Sequence, residues 1–553
     1  MKSGEIRQAY LDFFQRKDHQ VVASSSLVPA NDPTLLFTNA GMVQFKDVFL
    51  GTDQRPYARA TSAQKCMRVA GKHNDLEDVG PSPRHQTYFE MLGNFSFGDY
   101  FKAEAIRLAW ELLTEVYGLP PDRLAVTVYE KDDESYDLWQ EIAGVPVSRI
   151  GRLGPKDNFW QMADIGPCGP NTEIHWDRHP ERGEDDILPS LQADDGRFLE
   201  IWNLVFMQFN RTQPDEAHTG EFDVPLEKPG VDTGMGFERM AAVLQGASSN
   251  YGTDLFTDVM DATQDILGQD DTTRQQYEIP YRVIADHMRA ATFLIADGVT
   301  PGTNDREYVV RMLIRRAMRF AYTELGRRQP FLHQVAEAVI AKMGPAYPEL
   351  TQFDTAITRT IRGEEDLFLQ TIDNSLDVLE GTVGDMAPGE QMSGSAAFVL
   401  YSTHGLPLEI TRDLLKTRDL SVDEEAFTEA MEQHRQISDA GKDRKLADVS
   451  VYADVRKRLA DVLPEEGVTY DPYDNLDAQT TVLALLVDGE PVERVAYQEG
   501  QTVEIVLGAT PFYVEAGGQV SDTGILAGDD WEVTVTDVWR PVGGLVVHVG
   551  ELT

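Results

Sequence analysis

Two short segments far apart in the chain limit its fold more than any other feature. Residues 68–99 read RVAGKHNDLEDVGPSPRHQTYFEMLGNFSFGD, and residues 231–240 read VDTGMGFERM. The first sets Arg68 before a loop and then His85-x-x-x-Phe89; the second sets Asp232 just before Gly234-x-Gly236-x-x-Arg239. A nucleoside triphosphate bound in bent form needs a cation on its α-phosphate, a second cation on the terminal phosphates and a flat ring against the base. Arg68, Arg239 and Phe89 are those three kinds of group, so together the segments outline an adenylating site. Each part alone has a plainer reading. Glycine pairs mark turns in any strand-rich protein, and Phe89, among Tyr88, Met91, Leu92 and Phe95, suits a core as well as a stacking platform. The chain has neither a GxxxxGK[ST] phosphate loop nor a glycine-rich dinucleotide fingerprint, so the common alternative nucleotide sites are not visible.

The texture of the chain changes twice. Up to about residue 245, helices mix with short strands and with turns such as Ala30-Asn-Asp-Pro33, Val79-Gly-Pro-Ser-Pro83 and Gly166-Pro-Cys-Gly-Pro170, the pattern of an α+β domain. From about 250 to 460, long amphipathic runs such as 307–325 and 355–379 predict an all-helical domain. Beyond about 470, residues 480–487, 502–507, 531–538 and 545–549 read as strands, the first running into the turn Asp488-Gly489, and predict a small β-barrel-like domain. Three domains follow, 1–248, 249–462 and 463–553, in a chain of 553 residues that is long enough for a core in each.

No stretch of 18 apolar residues occurs, and the N-terminal MKSGEIRQAYLDFF reads as an amphipathic helix without a signal-peptide apolar region. A soluble, cytoplasmic protein with no membrane partner is therefore expected. Cys66 and Cys168 are too few for a disulfide framework. Cys168-Gly-Pro-Asn171 has asparagine where a C-x-x-C pair would need cysteine, so no zinc is expected in the N-terminal part. The charge is strongly negative: 49 basic against 92 acidic residues give −43, and only 14 of the basic residues are lysine. That is the wrong sign for a nucleic-acid binder read naively. The acids are spread along the chain, which favours a solvated, halophilic surface over a patch for a basic partner. In concentrated salt, phosphate contacts are screened, and contacts of other kinds would carry more of any affinity for a nucleic acid.

At this point the residues match a family. Asn31-Asp-Pro-Thr-Leu-Leu-Phe-Thr-Asn-Ala-Gly-Met42, the segment 68–99 and the segment 231–240 resemble motifs 1, 2 and 3 of class II aminoacyl-tRNA synthetases. With Asp157-Asn-Phe-Trp-Gln-Met162, Glu200-Ile-Trp-Asn-Leu-Val-Phe-Met-Gln-Phe-Asn210 and Ile284-Ala-Asp-His287, the likeness narrows to bacterial-type alanyl-tRNA synthetases, from Ile6 nearly to the end. The resemblance implies an antiparallel-sheet catalytic domain, an all-helical tRNA-recognition domain and a small β-barrel. It implies ATP-dependent activation of L-alanine, with Mg²⁺, and transfer of the alanyl group to alanine tRNA. Arg68 would contact the alanine carboxylate and the α-phosphate, with Lys72 nearby. His85 and Arg239 would hold the outer phosphates and Phe89 would stack on adenine. Asp232 would pair with the α-ammonium, and Trp160, Asn203, Val205 and Gly234 would line the alanine pocket. In this family a zinc-binding editing domain follows the barrel. No H-x-x-x-H or C-x-x-x-H pair follows Thr510-Pro-Phe-Tyr-Val-Glu-Ala-Gly-Gly-Gln519 here, so no editing is expected of this chain. Association in the family often uses a C-terminal region, so a monomer is expected.

Recognition of tRNA rests on two features. Arg311, Arg315 and Arg319, with Arg316 beside them, share one face of a predicted helix. They read either as a guide for the acceptor stem or as a face paired with this chain's many acids. The family typically reads a G·U wobble pair with an asparagine in a P-S-N-x-x-R-like turn and an aspartate in an L-Y-D-x-x-G-like segment. Here Pro301-Gly-Thr303-Asn-Asp-Arg306 and Leu400-Tyr-Ser402-Thr-His-Gly405 put Thr303 and Ser402 at those positions, with Asn304 one residue away. Hydroxyls can bond in a minor groove, but more weakly than an amide and a carboxylate. Two other readings remain: an alanine-activating paralogue that loads a non-tRNA acceptor, and a non-catalytic tRNA-binding homologue.

Overall fold

The computed structural model describes residues 1–29, 35–70, 73–162, 165–215, 219–384, 386–440, 449–460, 462–464, 467–470, 477–487, 490–497, 501–514, 521–528, 530–542 and 544–552. The chain divides into two compact units, 1–392 with 399–422, and 393–398 with 423–553.

The first unit is built on a mixed sheet whose strands, in chain order, are β1 (Gln20–Val21), β2 (Arg59–Met67), β3 (Tyr88–Ser96), β4 (Leu124–Tyr129), β5 (Ile150–Leu153), β6 (Phe159–Gln161), β7 (Gly166–Asp177), β8 (Phe198–Arg211) and β9 (Asp223–Gly236). Their order across the sheet is β1-β2-β3-β9-β8-β7-β4-β5, with β6 on β7. The six strands from β2 to β4 pair antiparallel, while the outer pairs β1/β2 and β4/β5 are parallel. Helix α1 (Ser3–Gln15) places Ile6, Tyr10, Phe13 and Phe14 on one buried stripe, as its helical spacing dictates. The aromatic members reach the sheet, with the Tyr10 and Trp202 ring centroids 5.8 Å apart.

Among the other helices of this unit are α2 (Phe237–Gln245), α3 (Asp254–Leu267), α4 (Glu278–Ala296), α5 (Asp305–Thr323), α6 (Leu332–Met343), α7 (Asp354–Val383) and α8 (Leu408–Lys416). The expected break at residue 248 is not a boundary between compact units. Helix α4 is buried on all sides, from Tyr281 to Ile295 with few gaps, and a helix buried all round needs cover from two directions. One side is the sheet. Tyr88 stacks on Phe293 with centroids 4.3 Å apart, and Lys65 meets Asp297, just past the helix, at 2.9 Å, while Arg289 bonds Glu238 of α2 at 2.8 Å. Helix α5 covers another part, so the helices to residue 392 and the stretch 399–422 belong to the same unit as the sheet.

The second unit also differs from the expected boundary, at 463. Helix α9 (Val449–Arg458) gives Tyr452 and Val455 to a core with Leu486, Val506, Val538 and Trp539. The Tyr452 hydroxyl donates to Glu504 at 2.7 Å. The sheet comprises β10 (Val482–Val487), β11 (Glu490–Val492), β12 (Thr502–Leu507), β13 (Gly524–Ala527), β14 (Glu532–Trp539) and β15 (Val547–Leu552), in the order β11-β10-β12-β15-β14-β13. Its paired strands run antiparallel, and among the described residues the end strands β11 and β13 do not pair to close a barrel. The turn expected at Asp488-Gly489 lies outside the described residues.

Candidate active site

Sheet register builds the floor of the site. Asn203 lies opposite Gly234 on β9 and Glu173 on β7, and Val205 lies opposite Asp232 and Asn171. Residues two apart share a face of a strand, so these two rows bring Asp232, Gly234, Asn203, Val205, Asn171 and Glu173 to one surface. Trp160, on β6 opposite Gly169, covers one edge of it. On the other side, β2 and β3 set Cys66 opposite Phe89, with Arg68 just beyond the end of β2. Arg239 projects from the first turns of α2, which begins where β9 ends.

These elements enclose a cavity of about 490 Å³. Arg68, His85, Phe89, Trp160, Asn203, Val205, Asp232, Gly234 and Arg239 all line it. Every adenylation or alanine-pocket residue expected from sequence is thus brought together except Lys72, which lies outside the described residues. The glycine pair of the second segment is not a turn. Gly234 and Gly236 end an extended strand, and a Cβ on Gly234 would stand 2.7 Å from the Met91 sulfur. Glycine there permits close approach of two strands. Trp160 and Val205 both line the cavity and pack on a core of Phe45, Phe95 and Met207, so their two readings coexist.

The charges of the cavity are unevenly matched. Asp232 is 6% exposed and has no hydrogen-bond or ion-pair partner among the described residues. Burial pushes its carboxyl up to about 7. The guanidinium of Arg68 lies over the Phe89 ring, 5.0 Å from its centroid, and its buried Nε has no partner among the described residues. Arg239 donates to the Glu200 carboxylate at 2.9 Å and to the Glu200 carbonyl at 3.0 Å. Burial raises the Glu200 carboxyl, but Arg239 and then His175 outweigh it and hold the group below its ordinary range. Glu173 is raised, by burial and by Glu200, although His175 stands 3.2 Å away. His85 is lowered, chiefly by burial, and its Nδ1 lies 2.8 Å from the Ser82 hydroxyl.

Sequence reasoning missed Asn171, Glu173 and Glu200. The alternation Asn171-x-Glu173 opposite Asn203-x-Val205 was the available signal for the first two. Glu200 gave none: a bulge between Glu200 and Trp202 shifts the register, and strict alternation from Asn203 would have sent Glu200 to the other face. An H-x-x-x-H spacing does occur, at His175 and His179, but the first faces Glu173 and the second bonds Glu181 at 3.0 Å. Among the described residues no group of three or more His, Cys, Asp or Glu side chains is placed to hold a metal ion.

The residues expected to meet tRNA are dispersed. Thr303 and Asn304 are exposed at the start of α5, and Ser402 is exposed at the end of the helix Gly394–Ser402. Arg306 turns back on the body of the unit and donates to the carbonyls of Leu36, at 2.5 Å, and Leu35, at 3.2 Å. The arginine face of α5 is a paired face. Arg315 meets Glu364 at 2.6 Å and Arg311 the same carboxylate at 3.5 Å; Arg316 and Arg319 meet Asp413 at 2.7 and 3.3 Å. Side-chain exposures of 11% for Arg315 and 3% for Arg319 leave neither free for a phosphate, whereas Arg311 keeps 23%.

The sheet thus sets one arginine, Arg68, just past the end of a strand and a second, Arg239, on the helix that follows another, and both line the same cavity. The chain belongs to the tRNA synthetases class II (A), whose family profile matches residues 5–553. It is 50% identical over 563 residues to the alanine–tRNA ligase of Methylobacillus flagellatus, and 47% identical over 565 residues to that of Paraburkholderia xenovorans. Each match covers 100% of this chain and 61% of the relative, so the chain spans about three-fifths of the length of these relatives. Among solved structures, the pyrrolysyl-tRNA synthetase of Desulfitobacterium hafniense matches 46% of this chain and 72% of its own at 9% identity, with a TM-score of 0.25. Among the described residues no helix is long and apolar enough to cross a membrane.

Proposed function

We propose that this chain activates L-alanine with ATP and transfers the alanyl group to the 3′ end of alanine tRNA. One observation carries the choice of an amino acid as substrate: Asp232, a buried carboxylate without a partner among the described residues, opens onto a cavity that also holds Arg68 and Arg239. A site that binds only a nucleotide has no use for such a group. An α-ammonium would supply the missing cation and draw the carboxyl back to its ionised form. Trp160 and Val205 wall the space beside it, and Asn203 is fixed by Asn171 at 2.8 Å. That small pocket and the names of the relatives support alanine.

In the first step, an oxygen of the alanine carboxylate attacks the α-phosphorus of ATP, the bond to the β-phosphate oxygen breaks, and pyrophosphate leaves. In the second, the hydroxyl of the terminal adenosine attacks the alanyl carbonyl and AMP leaves. Arg68, whose buried Nε has no partner among the described residues, steadies the developing charge on the α-phosphate. His85 and Arg239 hold the outer phosphates, and Phe89 offers its ring to adenine. No side-chain nucleophile is needed, because positioning and electrostatics supply the rate. The carboxylates of Glu173 and Glu200, hard oxygen donors on the cavity wall, suit Mg²⁺, which supplies charge neutralisation on the phosphates when bound.

The test is alanine-dependent exchange of labelled pyrophosphate into ATP, followed by charging of alanine tRNA transcripts with and without the wobble pair. Exchange and charging are expected. Folded protein that shows no exchange overturns the proposal, and exchange without charging reassigns the acceptor.

A further inference from the structure

A chain of buried polar groups joins the nucleotide side of the cavity to helix α8, and the adenylation chemistry does not use it. It starts at Thr87, which lies between His85 and Phe89. The Thr87 backbone N–H donates to Asp286 Oδ1 at 2.9 Å and its hydroxyl to Oδ2 at 2.5 Å. His287 Nδ1 lies 2.9 Å from the same Oδ2, and its Nε2 lies 3.0 Å from an Arg316 nitrogen. Arg316 then donates to Asp413 on α8 at 2.7 Å. A single neutral tautomer of His287 satisfies both neighbours, donating through Nδ1 and accepting through Nε2. Burial lowers the pKa of His287, in keeping with that form. Asp286, His287 and Thr87 are wholly buried and Arg316 nearly so, so bulk water cannot substitute for a missing member.

Helix α8 makes a second, independent link. Arg412 and Lys416 both meet Glu77, which lies in the loop between Arg68 and His85. That loop also carries Asp75 to the cavity wall. One helix therefore holds both the loop and the strand that present the nucleotide-gripping side chains. The segment just before α8 is tied in turn to α5, since Arg315 donates to the Gly405 carbonyl at 2.5 Å.

We infer that Asp286, His287, Arg316 and Asp413 form a positioning relay that holds the strand bearing Phe89 against α8, so that the placement of α8 sets the affinity for ATP. The inference rests on the reading of this cavity as an ATP site. In consequence, loosening α8 weakens the grip on ATP although no residue of the relay touches it. None of these four residues meets the reacting atoms.

The test uses the full chain. ATP binding is measured by calorimetry without alanine or RNA, alongside the KM for ATP and for alanine in pyrophosphate exchange. His287→Leu breaks the relay at its centre and is expected to weaken ATP about tenfold while changing the KM for alanine by less than about twofold. His287→Gln, whose amide can donate to Asp286 and accept from Arg316, is expected to restore ATP affinity to within about threefold of wild type. Asp413→Ala, at the outer end, shifts ATP in the same direction by less. Wild-type ATP affinity in His287→Leu overturns the inference, as does an equal loss for ATP and alanine. If His287→Leu does not fold, Asp413→Ala decides, and unchanged ATP affinity there overturns it. Wild-type protein that binds ATP but shows no exchange would sink the activity and leave the binding comparison intact.

Discussion

Asp232 carries the most consequence of any residue in the chain. A buried carboxylate without a cation beside it costs free energy, and here burial raises the carboxyl to about 7, so a proton neutralises it below that value. The sign of the pH dependence follows. Pairing with an α-ammonium requires the ionised form, so alanine binding releases a proton wherever the free carboxyl is protonated. Below the value of about 7 that burial imposes, the KM for alanine should rise about tenfold for each pH unit, while above it the KM should level off. Asp232→Asn should raise the KM and flatten this dependence. His85 is lowered instead, so its titration falls further to the acid side and acts on ATP, which allows the two to be separated by measuring both KM values. An alanine KM that stays constant from pH 8 to pH 6 would remove Asp232 from the ammonium role.

Among the elements, the difference between what sequence and structure reveal is sharpest at α5. Its helical form is plain from spacing, and the expected run 307–325 corresponds to Asp305–Thr323. The direction of its arginine face is not, because a helix rich in arginine looks the same whether its partners are phosphates or carboxylates 49 to 97 residues away in the chain. The acids that claim it, Glu364 and Asp413, sit on other helices, α7 and α8, and only tertiary packing reveals them. A stability measurement separates the roles. Arg315→Ala leaves Glu364 buried with its main partner gone and should cost about 3–5 kcal/mol, read as a lower denaturation midpoint, with partial recovery in the double variant Arg315→Ala/Glu364→Gln. Arg311→Ala, more exposed and farther from Glu364, should cost less than about 1 kcal/mol. Equal and small losses at both positions would restore α5 as an RNA-facing surface. The strands tell the same story from the other side. Alternation in 203–205 and 232–234 marks shared faces, but the bulge that adds Glu200 to the cavity is invisible until the register is known.

At the scale of the whole molecule, the two segments that stand out in the sequence do meet, across the pairing of β3 with β9, and both contribute side chains to one cavity. The domain division was less legible. Composition changes where helices begin, yet α4 is apolar on faces that only a sheet and a second helix together can cover, so the sheet shares one compact unit with the helices to residue 392 and with 399–422. The net charge of −43 belongs to this scale as well. Self-repulsion of that size is screened by salt, and the surface supplies few lysines to offset it. The thermal midpoint should climb as KCl is raised from about 0.1 M to about 2 M, a range over which the Debye length falls from about 10 Å to below 3 Å. A midpoint that is flat or falls over that range would separate the acidic composition from salt tolerance. The claim that joins these scales is that one cavity binds ATP and alanine together, with Asp232 as the partner of the ammonium. Alanine-dependent pyrophosphate exchange by the wild-type chain and by Asp232→Ala, with ATP binding measured on both, tests it most directly. Exchange that is lost in Asp232→Ala while ATP binding persists is the expected result, and exchange near the wild-type rate in Asp232→Ala would contradict it.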